Sequence, residues 1–245
     1  MLRNALLGLL GVSFLAASAP AQTVDEVLAK HLEARGGLER IKAVKSVRMT
    51  GKMTVGPGIE APITLELKKP ANVRLEITFQ GNTGVQAYDG KTGWSISPMA
   101  AKKDPEPMSA EDLKDMEEQA DLDGSLVDWK QKGHSVELLG KEKIEGSDAW
   151  KLKLVLKNGD VRYVFIDVDS ALELKTEAKR TIRGSEMETE SLSSDYKEVG
   201  GLILPYTIQQ GAKGQPQRQT ITVDKIELDV PIDDARFKMP EAKKP

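Results

Sequence analysis

Alternation of apolar and polar residues over most of the chain is the feature that most limits how it can fold. From residue 46 to residue 55, Val, Met and Gly alternate with Ser, Arg, Thr and Lys, and a period of two is typical of a strand with one buried and one solvated face. Turn signals such as Asn158-Gly159 separate stretches of this kind and predict hairpins. We predict about eleven strands from the stretches of this kind, which number twelve and lie at 46–55, 63–68, 73–79, 85–88, 94–97, 136–139, 150–156, 161–166, 172–182, 186–199, 202–209 and 217–230.

Apolar residues recur at helical spacing in two regions of the chain. Near the N-terminus, a capping box at Thr23 begins one helix, and a short second helix covers residues 38–44. In the middle, an acidic helix is predicted from residue 110 to about residue 122, followed by a helical turn at 126–129. Because strands and helices do not alternate as βαβ units, we predict an α+β fold in which a large antiparallel sheet curls around these helices.

The N-terminus has the three parts of a secretory signal peptide. Arg3 supplies positive charge, residues 5–17 are almost wholly apolar, and Ala19-Pro20-Ala21 is a small-x-small cleavage pattern. The apolar run is shorter than the roughly 20 residues that span a bilayer. We predict cleavage after Ala21 and a single domain over residues 22–245 in an extracytoplasmic compartment, with a buried N-terminal helix as the alternative.

Cysteine is absent from the sequence, and this excludes several chemistries at once. No thiol is available for a lipid anchor, a disulfide, a thiolate metal site or a cysteine nucleophile. The formal net charge of −3 at pH 7 gives no reason to expect a nucleic-acid partner. We therefore expect an exported, unanchored protein that is held together by its core.

Catalytic and metal-binding motifs are not found. The chain has no G-x-S-x-G, no dinucleotide or phosphate loop, and only two histidines, His31 and His134, without metal-ligand spacing. Residues 121–124 and 167–170 faintly resemble calcium loops but lack the closing Glu, so turn acids are the favoured interpretation. We expect a protein that is not an enzyme and that has no metal and no cofactor.

Several strands carry Met, Leu, Ile and Val on one face, and a curved sheet only partly filled by helices leaves an apolar cavity. Such a cavity in an exported protein suits lipid or acyl chains, although a plain hydrophobic core has the same pattern. The candidate cavity residues are the apolar-face positions of the first half of the sheet and of the covering helices, namely Met49, Met53, Leu65, Leu67, Leu75, Ile77, Trp94, Met116, Leu126 and Trp129.

Four short motifs carry a resemblance to a known family. They are Leu65-Glu-Leu-Lys-Lys-Pro-Ala-Asn-Val-Arg74, Tyr88-Asp-Gly-Lys-Thr-Gly-Trp-Ser-Ile-Ser-Pro98, the stretch 196–205 that ends in Leu-Ile-Leu-Pro, and the closing stretch 230–240 with Asp-Asp-Ala-Arg-Phe. In these motifs the sequence resembles the periplasmic lipoprotein carriers, LolA and its relatives, over residues 24–240.

The resemblance implies an incomplete, strongly curved antiparallel β-barrel with a helical lid over an apolar cavity. It implies a periplasmic carrier that takes lipoproteins from an inner-membrane transporter to an outer-membrane receptor, with the acyl chains in the cavity. Carriers of this family have an arginine before the proline after the second strand, where it holds the lid. Lys69 stands at that position here, so it is the candidate lid latch, with an ordinary surface lysine as the alternative.

The fold alone does not decide between related functions. An envelope sensor or interaction module of the same fold would bind lipid or lipoprotein without transporting it. A hydrolase, the third hypothesis, predicts a polar cleft with convergent carboxylates instead of an apolar pocket.

Overall fold

A computed structural model describes residues 22–56, 58–99, 104–182 and 185–241 of the chain. The predicted signal peptide and its cleavage site after Ala21 lie outside these residues. Within the described part, no helix is both long enough and apolar enough to cross a membrane.

The described chain contains α-helices α1 (Val24–Ala34), α2 (Leu38–Ala43) and α3 (Ala110–Gln119), and a 3-10 turn at Asp234–Arg236. Its strands are β1 (Ser46–Gly56), β2 (Ile59–Lys68), β3 (Asn72–Phe79), β4 (Asn82–Tyr88), β5 (Gly93–Ile96), β6 (Glu106–Pro107), β7 (Ser135–Ile144), β8 (Ser147–Val155), β9 (Val161–Asp167), β10 (Glu173–Ile182), β11 (Ser185–Val199), β12 (Leu202–Ala212) and β13 (Gln219–Leu228).

All of these strands form one antiparallel sheet in the order β6-β5-β4-β3-β2-β1-β13-β12-β11-β10-β9-β8-β7. The two end strands of this order, β6 and β7, do not pair with each other, so the sheet is not closed. The predicted α+β class with an incomplete antiparallel barrel is confirmed. The count is 13 strands, more than predicted, in part because β6 has only 2 residues and is too short for alternation to reveal.

Contacts of α3 show how strongly the sheet curves. Met116 of α3 packs against Val73 of β3, and Glu118 of the same helix pairs with Arg162 of β9. In the order of the sheet, β3 and β9 lie 7 strand positions apart, which would be about 34 Å in a flat sheet. A helix is only about 10–12 Å wide with its side chains, so the sheet curls around α3.

Helices α1, α2 and α3 pack on one side of the sheet, which we call the inner face. Val27 and Leu28 of α1 lie in a buried cluster with Leu152 and Val164 of β8 and β9. The capping box at Thr23 is formed as predicted, because its hydroxyl accepts from the Glu26 backbone N–H and its N–H donates to the Glu26 carboxylate.

The glycine pair Gly36-Gly37, which follows the C-cap of α1, is where the end of this helix meets the sheet. Both residues have positive φ, 113° at Gly36 and 90° at Gly37. A Cβ on Gly36 would lie 2.1 Å from the Gly201 carbonyl oxygen in the β11–β12 turn. Glycine at 36 therefore allows the end of the helix and this turn to approach closely.

The chain after β13 crosses the opposite side of the sheet, the outer face, and covers β2 to β5. Phe237 in this segment is 1% exposed, and its carbonyl oxygen accepts from Trp94 Nε1 at 2.8 Å. Arg236 pairs with the buried Glu66 at 2.6 Å and with Glu76 at 3.1 Å. The C-terminal segment thus supplies the cover for the outer face of the β2–β5 strands.

The prediction of Trp94 as a cavity residue is wrong. In the register of β4 and β5, Trp94 is opposite Ala87, whereas Tyr88, which packs under α3, is opposite Gly93. Trp94 therefore points to the outer face, where Val85, Ala87 and Ile96 pack around it. Alternation shows that β5 has a buried side, but it does not show that the C-terminal segment is what buries it.

Replacing Phe237 with Ala tests the C-terminal cover. We expect the free energy of unfolding to fall by about 4 kcal/mol, as is usual when a fully buried Phe is truncated. Urea denaturation measures this, with Met239→Ala as the control because Met239 is 42% exposed in the same segment. Equal stability of the two variants would show that the segment is not part of the core.

Candidate functional site

Two neighbouring cavities lie between the inner face and the segments that cover it. Cavity A has a volume of about 780 Å³ and lies among α3, the β2–β3 turn and the β8–β9 hairpin. Cavity B has a volume of about 300 Å³ and lies among α1 and strands β9 to β12. Both cavities are bordered by Gly124, Ser125 and Arg162, so they meet beneath the segment that follows α3.

The lining of these cavities is not the apolar one that the sequence analysis predicts. Cavity A is bordered by Pro70, Ala71, Lys114, Glu117, Glu118, Ala120, Asp121, Gly124, Ser125, Lys132, His134, Leu156, Lys157, Asn158 and Arg162. Cavity B is bordered by His31, Arg35, Gly124, Ser125, Leu126, Arg162, Val164, Glu173, Thr176, Ser193, Tyr196, Ile203, Leu204 and Pro205. The two cavities are amphipathic, because inner-face positions of β9 and β10 carry polar side chains between the apolar ones.

Ion pairs hold α3 over the β8–β9 hairpin. Arg162 is opposite Leu154 and Ala178 in the sheet, which places it on the inner face. Its guanidinium donates to the Glu118 carboxylate, and the other oxygen of that carboxylate accepts from Asn158 Nδ2 at 3.1 Å.

Residues 110–134, which we call the covering segment, are also tied to the other half of the sheet. Lys69 Nζ donates to the Lys42 carbonyl oxygen at 2.7 Å and lies 2.8 Å from Asp123 Oδ1. Lys42 in turn pairs with Asp128 at 2.6 Å. Lys69 thus joins the end of β2 to α2 and to the covering segment, which is the position that a lid latch requires. Its role as a latch stays a prediction.

The part of the covering segment after α3 consists of turns, including residues 126–129, where a helical turn is predicted. Lys132 Nζ donates to Asp121 at 2.6 Å and to the Gly124 carbonyl oxygen at 2.9 Å. Gly124 has a φ of 89°, a conformation that L residues rarely adopt. A lysine-centred turn therefore forms the common border of the two cavities.

His31 forms a buried wall of cavity B. It is 2% exposed, and its Nδ1 donates to the Ala171 carbonyl oxygen at 2.9 Å. The pKa of His31 is lowered to about 4, mainly by burial and to a smaller extent by the nearby positive charge of Arg35, against the opposing effect of the hydrogen bond to Ala171. His31 is therefore neutral near pH 7.

Glu173 and Tyr196 form the polar floor of the same cavity. Thr176 donates its hydroxyl to Glu173 Oε1 at 2.7 Å, and the Tyr196 hydroxyl donates to the Glu173 carbonyl oxygen at 2.6 Å. Burial raises the pKa of the Glu173 carboxyl, although Thr176 and the charges of Arg35 and Arg162 act in the opposite direction. Burial also raises the pKa of Tyr196.

Among the predicted cavity residues, those on β1 to β3 all lie on the inner face. Met49 is opposite Leu65, which is opposite Leu75, and Leu67 is opposite Val73 under α3. Met53 and Ile77 continue the same face towards the other end of the strands. All of these predicted side chains are half-buried: Met49, Met53, Leu65, Leu67, Leu75 and Ile77.

The predicted residues of the covering segment have different surroundings. Met116 is 2% exposed and packs in the core between α3 and the sheet. Leu126 borders cavity B, and both Leu126 and Trp129 border a smaller space of about 250 Å³ beside α1.

Sequence reasoning did not find the polar wall of cavity B, namely Arg35, Arg162, Glu173 and Tyr196. One signal was available for Arg162, which stands two residues before the buried Val164 and so shares its face. For the others the sequence gives no comparable signal, because α1, β9, β10 and β11 meet only in the folded chain. Among the described residues, no group of three or more His, Asp or Glu side chains could hold a metal ion.

Comparison with solved structures identifies the fold. A DUF1329 family protein from Desulfovibrio piger matches with a TM-score of 0.61 at 12% identity, covering 89% of this chain and 98% of that one. A LolA superfamily protein from Nitrosomonas europaea matches with a TM-score of 0.57 at 15% identity, with the same coverage of 89% and 98%. A domain named for outer membrane lipoprotein sorting, from Vibrio parahaemolyticus, matches with a TM-score of 0.57 at 13% identity, covering 86% and 94%.

No protein-family model matches the sequence, and no curated protein matches it either. At the identities of the structural matches, the likeness concerns the fold. The chain therefore has the LolA-like fold that the sequence motifs predict.

The buried His31 predicts a pH dependence of stability. Between about pH 6.5 and pH 4 the unfolded chain binds a proton at His31 that the folded chain does not, so the free energy of unfolding falls as the pH is lowered, by about 3 kcal/mol in total. His31→Asn keeps a donor for Ala171 and should remove this part of the slope in urea denaturation between pH 7 and pH 4. His134→Asn, at a more exposed imidazole, is the control, and this variant should keep most of the pH dependence of the free energy of unfolding. An unchanged slope in His31→Asn would contradict the assignment.

Proposed function

We propose that this protein, with its LolA-like fold, binds the acyl chains of lipids or lipoproteins on the inner face of its sheet. The observation that carries the proposal is the half-buried apolar surface of β1 to β3. Helix α1 covers the inner face at β8 and β9, and α2 and α3 cover the parts of it that they contact. The apolar surface of β1 to β3 is only partly covered.

The apolar surface continues into the neighbouring strands. Across β13, Ile226 is opposite Met49 and Ile221 is opposite Met53, and Ile208 of β12 is opposite Ile221. A contiguous apolar surface of this kind on an inner, concave face usually marks a ligand site. Each methylene group that an acyl chain buries there is worth about 0.8 kcal/mol.

Side-chain type also supports an acyl-chain ligand. Met49 and Met53 are unbranched and flexible, and such side chains adapt to chains of different shape. The inner-face positions in this half of the sheet carry no charged side chain from Met49 to Met53 or from Ile63 to Leu67. The surface is therefore suited to hydrocarbon, in contrast to the polar wall of cavity B.

We propose further that the protein is a periplasmic carrier that shuttles lipoproteins towards the outer membrane. The predicted signal peptide and the absence of cysteine support an exported protein without a lipid anchor, and one structural neighbour is named for lipoprotein sorting. A carrier of this kind receives its cargo from an inner-membrane transporter and gives it to an outer-membrane receptor. The described chain is proposed to act by binding and release, not as an enzyme.

Polar substitutions on the inner face test acyl-chain binding. Leu75→Gln and Met49→Gln should each weaken the binding of a fluorescent fatty acid by about tenfold, since each removes an apolar contact worth about 1.4 kcal/mol or more. Leu139→Gln, at a residue 45% exposed on the edge strand β7, is the matched control and should bind like the wild type. Wild-type affinity in both inner-face variants would contradict the proposal.

Lys69→Ala tests the latch. Loss of its contacts with Asp123 and the Lys42 carbonyl should loosen the covering segment, so hydrogen exchange at residues 121–129 becomes faster and bound fatty acid dissociates faster. Lys52→Ala removes a comparable ion pair with Glu60, at 3.2 Å, that does not touch the covering segment. If hydrogen exchange at residues 121–129 has the wild-type rate in both variants, Lys69 is an ordinary surface lysine.

A further inference from the structure

Arg35 is the feature of cavity B that the acyl-chain proposal does not use. It caps the C-terminus of α1, is half-buried and borders the cavity. Its Nη1 lies over Gly124, where a Cβ atom would be 3.7 Å away. Within residues 22–56, 58–99, 104–182 and 185–241, its guanidinium makes no hydrogen bond and no ion pair. A planar group with five donors thus borders cavity B without a protein acceptor.

The charges around Arg35 do not supply a ready partner. Glu118, which borders the neighbouring cavity A, is already paired with Arg162 and hydrogen-bonded to Asn158. Glu173 lies near enough for the charge of Arg35 to affect it, but burial raises its pKa and so favours the neutral acid. His31 is neutral. The positive charge of Arg35 is therefore only weakly compensated inside the cavity.

The remaining walls of cavity B are suited to a molecule with one polar end. Ser125 and Thr176 lie on the polar side, whereas Leu126, Val164 and Leu204 are apolar. Leu204 also belongs to the cluster that contains Val47 of β1, so the apolar wall continues onto the inner face proposed to hold acyl chains. A charged end and an apolar wall in one cavity match an anionic group at the end of a hydrocarbon chain.

We propose that cavity B binds the anionic group of an acyl-chain ligand, a carboxylate or a phosphate, and that Arg35 is the residue that pairs with it. This inference rests on the proposed function and specifies its ligand class as an anionic amphiphile. The guanidinium fork pairs with either oxyanion through two parallel hydrogen bonds.

Comparing oleate with oleyl alcohol tests the pairing, because the two ligands share a chain and differ in charge. Arg35→Gln should weaken oleate binding about 10- to 100-fold and leave oleyl alcohol binding unchanged, as measured by displacement of a fluorescent probe. The oleate affinity of Arg35→Lys should lie between those of the wild type and of Arg35→Gln, because lysine keeps the positive charge but lacks the guanidinium fork. Arg40→Gln is the control, since Arg40 is exposed and reaches only the Gly36 and Gly201 carbonyl oxygens.

The outcomes separate the inference from the proposed function. Wild-type oleate affinity in Arg35→Gln overturns the inference while acyl-chain binding stands. An equal loss for both ligands also overturns it, because Arg35 would then have a structural role. Wild-type protein that binds neither ligand overturns the proposed function together with this site.

A phosphate experiment distinguishes a lipid headgroup from a free anion. We expect inorganic phosphate alone to leave the Tm of the wild type unchanged at the concentrations where oleate raises it. A rise with phosphate that is lost in Arg35→Gln, without any rise with oleate, would overturn the assignment to an amphiphile.

Glu173→Gln gives an independent test, because it fixes the neutral form of the side chain. Oleate should bind to this variant at least as tightly as to the wild type, since the anion has no competing carboxylate. A loss of oleate binding with unchanged oleyl alcohol binding would show that Arg35 needs the Glu173 carboxylate, and would contradict the proposed pairing.

Discussion

The packing of three helices against one side of a single antiparallel sheet is the constraint on which the rest of the structure depends. Because α3 contacts both β3 and β9, the 13 strands cannot lie flat, and the inner face becomes concave. The same curl brings β9 and β10 opposite β1 to β3. The apolar surface and the cavities both result from a sheet that is wider than the helices that cover it.

The two halves of the interior differ in chemistry, and this difference has a physical basis. On β1 to β3 the inner positions are apolar, and charged groups such as Glu66 face outward, where the C-terminal segment satisfies them. On β9 and β10 the inner positions include Arg162 and Thr176, whose partners are supplied by the covering segment and by Glu173. The interior is therefore apolar in one half and hydrogen-bonded in the other, as an amphiphilic ligand would require.

Much of the fold could be predicted from the sequence, because alternation and turn signals are local. The capping box at Thr23, the short helices and the hairpin at Asn158-Gly159 all occur in the structure. Met49, Leu65 and Leu75 were also correctly predicted to share one face of the sheet, because alternate residues of a strand lie on the same face. Trp94 was misplaced because alternation does not show which of two covers, α3 or the C-terminal segment, buries a given side. The wall formed by Arg35, Glu173 and Tyr196 joins residues far apart in the chain, and no local pattern announces it.

Native mass spectrometry of the protein, expressed with its N-terminal segment and purified from the cell envelope without detergent, tests the central claim most directly. The account predicts a fraction of molecules that carry the added mass of an acylated lipid, and predicts that this fraction falls in Leu75→Gln. Protein that has only its own mass, and that takes up no fatty acid when mixed with it, would contradict the claim.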